Sequence, residues 1–95
     1  MYYVYILFSN KLKKFYTGRT TNLKRRLEEH NSKKVPFTSR GCPWDLAFYE
    51  AFINEKDSID EEKFLKSGKE RERRSYLLRN YIQSIGENGT KGRSA

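Results

Sequence analysis

Two tyrosine triplets near the start of the chain constrain its fold more strongly than any other feature. The first, Tyr3-Val4-Tyr5, lies within an apolar run over residues 2–8, and the second is Tyr16-Thr17-Gly18. Tyr5 and Tyr16 are 11 positions apart, and the residues between the two apolar segments are mostly polar, as in a hairpin connection. A hairpin would bring the two phenols close together in space. The glycine that follows them allows a bend or a close approach of the backbone.

The remaining patterns predict a small α+β domain. They indicate strands over residues 2–8, 15–19 and 46–53, and helices over residues 22–31, 59–66 and 70–85. This order predicts a three-stranded sheet flanked by helices, with a loop over residues 32–44. We expect residues 1–85 to form the domain, and residues 86–95, which are small and polar, to form a flexible tail.

The chain is strongly basic, with a formal charge of +8 over 95 residues. Its length leaves room for one core, and its lysines and arginines are spread along the sequence rather than confined to a tail. A compact domain of this kind attracts polyanions, of which nucleic acid is the usual one. The alternative is a solvated basic surface with no dedicated ligand.

The cysteine content and the first residues exclude several classes of protein. With Cys42 as its one cysteine, the chain has no intramolecular disulfide and no cysteine-rich zinc site, and we expect this thiol to be incidental. The apolar run over residues 2–8 has no basic segment before it and no small-residue cleavage site after it, and it is too short to span a membrane. We therefore expect a cytoplasmic protein with no membrane partner.

The first helix combines two charged or titratable residues with its apolar stripe. Arg26 and His30 are four residues apart, and at about 100° per residue they lie on the same side as Leu23 and Leu27. An inward-facing arginine requires either a buried acidic partner or an anionic ligand in a cleft. His30 is a candidate functional residue, and the alternative is a histidine that stabilises a helix C-terminus.

The second helix is predicted to place Glu62 in the middle of its apolar arc, with Glu61 outside that arc. A carboxylate is unusual on a stripe that faces the core. Glu62 could pair with Arg26, or it could bind a hard cation. Mg²⁺ or Mn²⁺ would suit one carboxylate, because these ions keep several waters and also bind substrate phosphate oxygens.

These residues resemble the signature of the GIY-YIG nuclease family. Tyr5 and Tyr16 stand at the tyrosine positions of its two triplets, although Tyr-Val-Tyr replaces Gly-Ile-Tyr in the first. Arg26 follows Tyr16 by ten residues, at the position of the family's helical arginine, and His30 stands where many members have histidine. The match covers roughly residues 2–80.

The loop before the third strand narrows the resemblance. The segment Thr38-Ser39-Arg40-Gly41-Cys42-Pro43-Trp44-Asp45-Leu46 is similar to the T-x-R-G-x-P-W-x-L segment of two branches of the family. One branch contains small single-domain bacterial proteins, and the other contains the catalytic subunit of a eukaryotic structure-specific endonuclease that cuts branched DNA. The length of this chain favours the bacterial branch.

The resemblance implies a metal-dependent DNA endonuclease, with branched or damaged DNA as candidate substrates. The implied catalytic residues are Tyr5, Tyr16, Arg19, Arg26 and His30, with Glu62 as the ligand of one Mg²⁺ or Mn²⁺ ion. Either tyrosine would act as general base, the arginines would favour its phenolate, and His30 would relay the proton. The residues expected to contact DNA are Lys24, Lys33, Lys34, Arg40, Lys66 and Lys69.

Two other functions remain compatible with the sequence. The chain could be a nucleic-acid-binding module that has no nuclease activity alone, or that requires a partner protein for specificity. It could also be an interaction protein whose basic surface meets an acidic partner, in which case Glu62→Ala would leave function intact. For the two tyrosines taken alone, ordinary packing in an aromatic strand pair is the alternative.

Overall fold

A three-stranded antiparallel sheet forms the centre of the computed structural model, which describes residues 1–67 and 71–89. The central strand β1 (Tyr2–Ser9) pairs with β2 (Lys14–Thr20) on one side and with β3 (Trp44–Phe52) on the other. The predicted α+β class, the three strands and the hairpin are confirmed. Because β2 is an edge strand, side chains from both faces of the sheet can meet around it.

Four α-helices and one short 3-10 helix accompany the sheet in the described residues. They are α1 (Leu23–Asn31), the 3-10 helix (Pro36–Gly41), α2 (Glu55–Lys66), α3 (Arg71–Leu77) and α4 (Arg79–Gly89). None of these helices, within the part of the chain that is described, has the length and apolar character needed to cross a membrane.

Two helix boundaries differ from the sequence prediction. α2 begins at Glu55 rather than at residue 59, because the Asn54 side chain caps it by accepting a hydrogen bond from the Lys56 backbone nitrogen at 2.8 Å. The helix predicted over residues 70–85 consists of α3 and α4, which meet at Leu78, and α4 continues to Gly89 within the segment predicted as a tail. Positions 90–95 of that segment lie outside the described residues.

The alternation of side chains along β1 creates two packed layers. On one face, Val4 and Ile6 pack with Leu65 of α2. On the opposite face, Tyr5 and Leu7 pack against the leucines of α1. The first tyrosine of the candidate site therefore lies in the layer between the sheet and α1, where water is excluded.

Candidate active site

The Tyr5 ring lies directly against the backbone of β2. Tyr5 is paired in register with Gly18, and a Cβ atom placed at Gly18 would overlap the Tyr5 hydroxyl and lie 2.5 Å from its Cζ. Such an overlap is sterically forbidden, so a side chain at this position would displace the tyrosine. The glycine of the second triplet thus provides the close backbone approach expected from the sequence.

Tyr5 and His30 form a buried hydrogen-bonded pair that continues to the 3-10 helix. The Tyr5 hydroxyl is 2.8 Å from Nε2 of His30, and Nδ1 of the same ring is 2.7 Å from Oγ1 of Thr38. Thr38 donates its own hydroxyl hydrogen to the Val35 carbonyl at 3.3 Å. We therefore assign the imidazole hydrogen to Nδ1, which leaves Nε2 to accept from the phenol.

Burial controls the protonation of both partners. Burial lowers the pKa of His30 to about 4, assisted by the positive charge of Arg26, so the imidazole is neutral at pH 7. Burial also raises the pKa of Tyr5 to about 12, although a hydrogen bond from Arg26 acts in the opposite direction. The phenol is therefore protonated at neutral pH and donates a hydrogen bond to a neutral histidine.

Arg26 connects this buried pair with the solvent. Hydrogen bonds to Tyr5 and Glu29 raise the pKa of its guanidinium, and the bond to Glu29 is 3.0 Å long. The acidic partner considered for this arginine is therefore Glu29, one turn along α1, rather than Glu62. Arg26 lies at the edge of the core while His30 is 0% exposed, so the guanidinium remains accessible to an anionic ligand.

Tyr16 lies between the buried pair and an open groove. Its ring centroid is 5.1 Å from that of His30 and 6.5 Å from that of Tyr5. On its other side Tyr16 lines a groove of about 410 Å³ that runs along the edge strand. The lining residues are Phe15, Tyr16, Thr17, Phe37, Leu65, Lys66 and Arg74. Of the two phenols, Tyr16 is the one that a ligand in this groove would meet.

Glu62 approaches the site from the opposite face of the sheet. Its carboxylate is 3.0 Å from Nζ of Lys66 and 3.7 Å from Nε of Arg19, and its side chain is 22% exposed. The Lys66 ammonium in turn lies 5.9 Å from the centroid of the Tyr16 ring. Glu62 and Tyr16 are thus connected through Lys66 around the edge of β2.

Arg19 does not join the two tyrosines as the family resemblance implied. It pairs in register with Val4 and faces α2, where it contacts Glu55 at 3.6 Å and Glu62 at 3.7 Å. Its Nε makes no hydrogen bond within the described residues. The reason is the alternation of the strand: residues 16 and 19 differ by an odd number of positions, so they lie on opposite faces.

The placement of Glu61 also differs from the prediction. Its side chain is more buried than that of Glu62, and it accepts a hydrogen bond from Arg73 at 2.9 Å. The buried axis of α2 runs through Ser58 and Leu65 rather than through Ile59, so Glu61 and Glu62 lie on either side of it.

The donor set around Glu62 fits one hard cation that is bound mainly by water and substrate. Glu62 offers one carboxylate next to Lys66, which lines the groove, and no group of three or more potential metal-ligating side chains occurs among the residues described. Such a site would resemble the usual Mg²⁺ arrangement, with one or two carboxylates completed by waters and phosphate oxygens. A cation that requires a protein cage, such as structural Zn²⁺, does not fit.

The cationic residues predicted to contact DNA are exposed wherever the structure describes them. Lys24, Lys33, Lys34 and Arg40 are exposed, and Lys66 is exposed while paired with Glu62. Lys69 lies outside the described residues. Arg74, which is not one of these six residues, lines the groove with its guanidinium 5.0 Å from the centroid of the Phe15 ring.

Sequence reasoning missed the structural role of Thr38 and Trp44, although the motif around them was noticed. Thr38 binds His30, and its carbonyl accepts a hydrogen bond from Nε1 of Trp44 at 2.7 Å. Trp44 packs against Tyr16, and a Cβ at Gly41 would lie 2.5 Å from the Trp44 ring. The T-x-R-G-x-P-W segment therefore holds the His30 side chain in place from outside α1.

Comparisons with known proteins identify the family of this chain. The family model of the GIY-YIG catalytic domain matches residues 1–76. The UPF0213 protein in the ldhD 5' region of Pediococcus acidilactici is 35% identical over 84 residues, which is 85% of each chain. A UPF0213 protein of Streptococcus pyogenes serotype M5 is 37% identical over 70 residues, covering 73% of this chain and 75% of its own.

One solved structure is also similar. The solution NMR structure of the UPF0213 protein BH0048 from Bacillus halodurans is 32% identical and covers 100% of both chains, with a TM-score of 0.49. The extent of the family match and the identity to the curated relatives lead to one conclusion: this chain belongs to the GIY-YIG family and, within it, to the small single-domain UPF0213 proteins.

Proposed function

We propose that this protein is a metal-dependent DNA endonuclease that hydrolyses phosphodiester bonds, with branched or damaged DNA as its substrate. One observation carries the proposal: two tyrosines, Arg26 and His30 converge at the edge strand, and Glu62 reaches the same edge through Lys66. Membership of a nuclease family supports the reaction class.

In this proposal the exposure of each tyrosine decides its role in the reaction. Tyr16 lines the groove and is placed to take a proton from the attacking water, whereas Tyr5 is 1% exposed and donates to His30. Two cationic groups, Arg26 beside Tyr5 and Lys66 beside Tyr16, would stabilise the negative charge that develops on the phosphate. Arg19 does not contact the substrate in this proposal but positions the Glu62 carboxylate.

Glu62 would hold one Mg²⁺ or Mn²⁺ ion beside the bound phosphate. When bound, the ion would stabilise charge on the leaving oxygen. The substrate backbone would be held by the exposed cations Lys24, Lys33, Lys34 and Arg40, with Lys66 at the groove itself. A cytoplasmic location would give the protein access to DNA.

A second function is favoured by a specific observation. The Glu62 carboxylate is already engaged by Lys66 at 3.0 Å and by Arg19 at 3.7 Å, and these two cations would compete with a metal ion for it. In this alternative the protein binds nucleic acid but cleaves it only with a partner protein, or does not cleave it.

The two functions are separated by a cleavage assay. The wild type, Glu62→Ala and Glu55→Ala would be incubated with single-stranded, duplex, flap and four-way DNA in Mg²⁺ and in Mn²⁺. Glu55 is the matched control, because it lies on the same helix and also contacts Arg19 but is well exposed. We expect cleavage by the wild type and Glu55→Ala that Glu62→Ala lacks.

Other outcomes contradict the proposal. Binding without cleavage on every substrate and in both ions would support the binding module that requires a partner. Cleavage retained by Glu62→Ala would remove Glu62 from the site. A protein that neither binds nor cleaves DNA would favour an interaction protein with an acidic partner.

A further inference from the structure

Phe37 places an uncovered aromatic ring at the mouth of the groove. Its side chain is 83% exposed, which is unusual for a large apolar residue. The ring centroid lies 5.7 Å from that of Tyr16, and both rings line the groove. An exposed ring beside a candidate catalytic tyrosine is a surface on which a flat ligand can stack.

The backbone that carries Phe37 is held firmly. The next residue, Thr38, is 1% exposed, donates its backbone N–H to the Val35 carbonyl at 3.1 Å and binds His30 through its hydroxyl. Its carbonyl accepts a hydrogen bond from the Trp44 indole. The backbone position from which the ring projects is therefore set before any ligand arrives, which lowers the entropy lost on binding.

The lining of the groove also supplies positive charge. Lys66 and Arg74 both line it, and the Arg74 guanidinium lies over the Phe15 ring at 5.0 Å. Aromatic faces together with cations in one groove form the combination that binds single-stranded nucleic acid, where bases stack and phosphates are neutralised. The charge and the ring together indicate a nucleotide rather than an apolar ligand.

We propose that this groove binds one unpaired nucleotide of a DNA substrate, with its base stacked on Phe37 and its phosphate facing Lys66. The inference rests on the proposed function, since it concerns the substrate of the same site. A base inside a duplex has both faces covered by its neighbours and is not available to Phe37. The groove therefore selects DNA in which a nucleotide beside the cleavage position is unpaired, such as a flap or a gap.

The test is equilibrium binding to fluorescent oligonucleotides in the absence of divalent cations. A duplex with a short single-stranded flap, the same DNA with abasic flap nucleotides, and a blunt duplex with the same number of phosphates would be compared. The variants are Phe37→Ala, Phe37→Leu and Phe37→Trp. Ile53→Ala is the matched control, because Ile53 is 86% exposed at a site that does not line the groove.

We expect the wild type and Ile53→Ala to prefer the flap over the blunt duplex. Phe37→Ala should weaken flap binding by roughly 5- to 140-fold, the range of one base–aromatic stack, and leave duplex binding unchanged. Phe37→Leu should resemble Phe37→Ala, because it keeps apolar area without a π-face. Phe37→Trp should bind the flap like the wild type, and flap DNA should quench the fluorescence of the introduced indole. Abasic flaps should bind the wild type as weakly as normal flaps bind Phe37→Ala.

Three results would overturn the nucleotide site. In the first, Phe37→Ala and the wild type bind every DNA equally well. In the second, Phe37→Ala loses the same factor of affinity for the flap and for the duplex. In the third, Phe37→Ala changes self-association while its DNA binding is unchanged. The last result would identify the ring as a contact between copies of the chain. The cleavage assay keeps the two proposals apart. A preference for flap DNA without cleavage would contradict only the proposed nuclease activity. Cleavage with no effect of the Phe37 substitutions on binding would contradict only the proposed nucleotide site.

Discussion

The Tyr5 hydroxyl lies 2.8 Å from Nε2 of His30, at a point where neither residue is more than 1% exposed. This pair joins the first tyrosine triplet to the end of α1. Gly18 lies against the Tyr5 ring, and Thr38 is hydrogen-bonded to His30. Each neighbour acts by a different physical means: Gly18 by the absence of a side chain, and Thr38 by a hydrogen bond.

Gly18→Ala should destabilise the protein by about 1–3 kcal/mol, because the new methyl group would collide with the Tyr5 ring and push its hydroxyl away from His30. Urea denaturation measures this cost. The double variant with Tyr5→Leu is the control, because removal of the ring should remove most of the cost of the alanine. An equal cost in both backgrounds would show that the collision with Tyr5 is not the cause.

The stability that His30 contributes should depend on pH. Its folded pKa of about 4 is below the ordinary value of 6.5, so between these values the unfolded chain binds a proton that the folded chain does not. Stability should fall as pH decreases from 6.5 to 4, by up to roughly 3 kcal/mol from this residue. His30→Gln, which can hydrogen-bond but does not titrate, should show a smaller fall in urea denaturation at pH 4.5 relative to pH 7. Parallel pH curves for the two proteins would contradict this.

Glu50 should have the opposite pH dependence. Burial and the neighbouring Glu61 raise its pKa to about 7, despite the positive charge of Arg73. A group with a raised pKa stabilises the fold when protonated, and this stabilisation is lost as pH rises from about 4.5 to 7. Glu50→Gln should therefore gain stability relative to the wild type as pH rises from about 5 to 8. The thermal unfolding of Glu50→Gln and of the wild type would be measured at pH 5 and at pH 8. A difference in unfolding temperature between the two proteins that is the same at both pH values would contradict the prediction.

Replacing each tyrosine by phenylalanine should identify the general base, given that cleavage is observed. Loss of the base should lower kcat by a factor on the order of 100 or more, and should also flatten the dependence of kcat on pH. We expect the flat profile for Tyr16→Phe, since Tyr16 lines the groove. Tyr5→Phe should lower kcat while keeping a pH-dependent profile. The reverse assignment of the two profiles would make Tyr5 the base.

Much of the fold was accessible from local pattern. Apolar runs, turn residues and caps depend on neighbours in the chain, so the three strands, the hairpin and α1 could be predicted. The start of α2 was missed because the helix begins at its Asn54 cap, before the first apolar residue of the pattern. The position of Arg19 could also have been predicted from the sequence, because strand alternation places it on the face opposite Tyr16.

The sequence by itself determined which residues are available for the site: the two tyrosines at hairpin spacing, Arg26 and His30 one turn apart, and a glutamate in the second helix. Only the tertiary structure decided how they meet. The edge position of β2 lets Lys66 reach Tyr16 from the other face, and the 3-10 helix brings Thr38 to His30 and Phe37 to Tyr16. These contacts join residues far apart in the chain, and they depend on strand order and on packing between layers, which local periodicity does not encode.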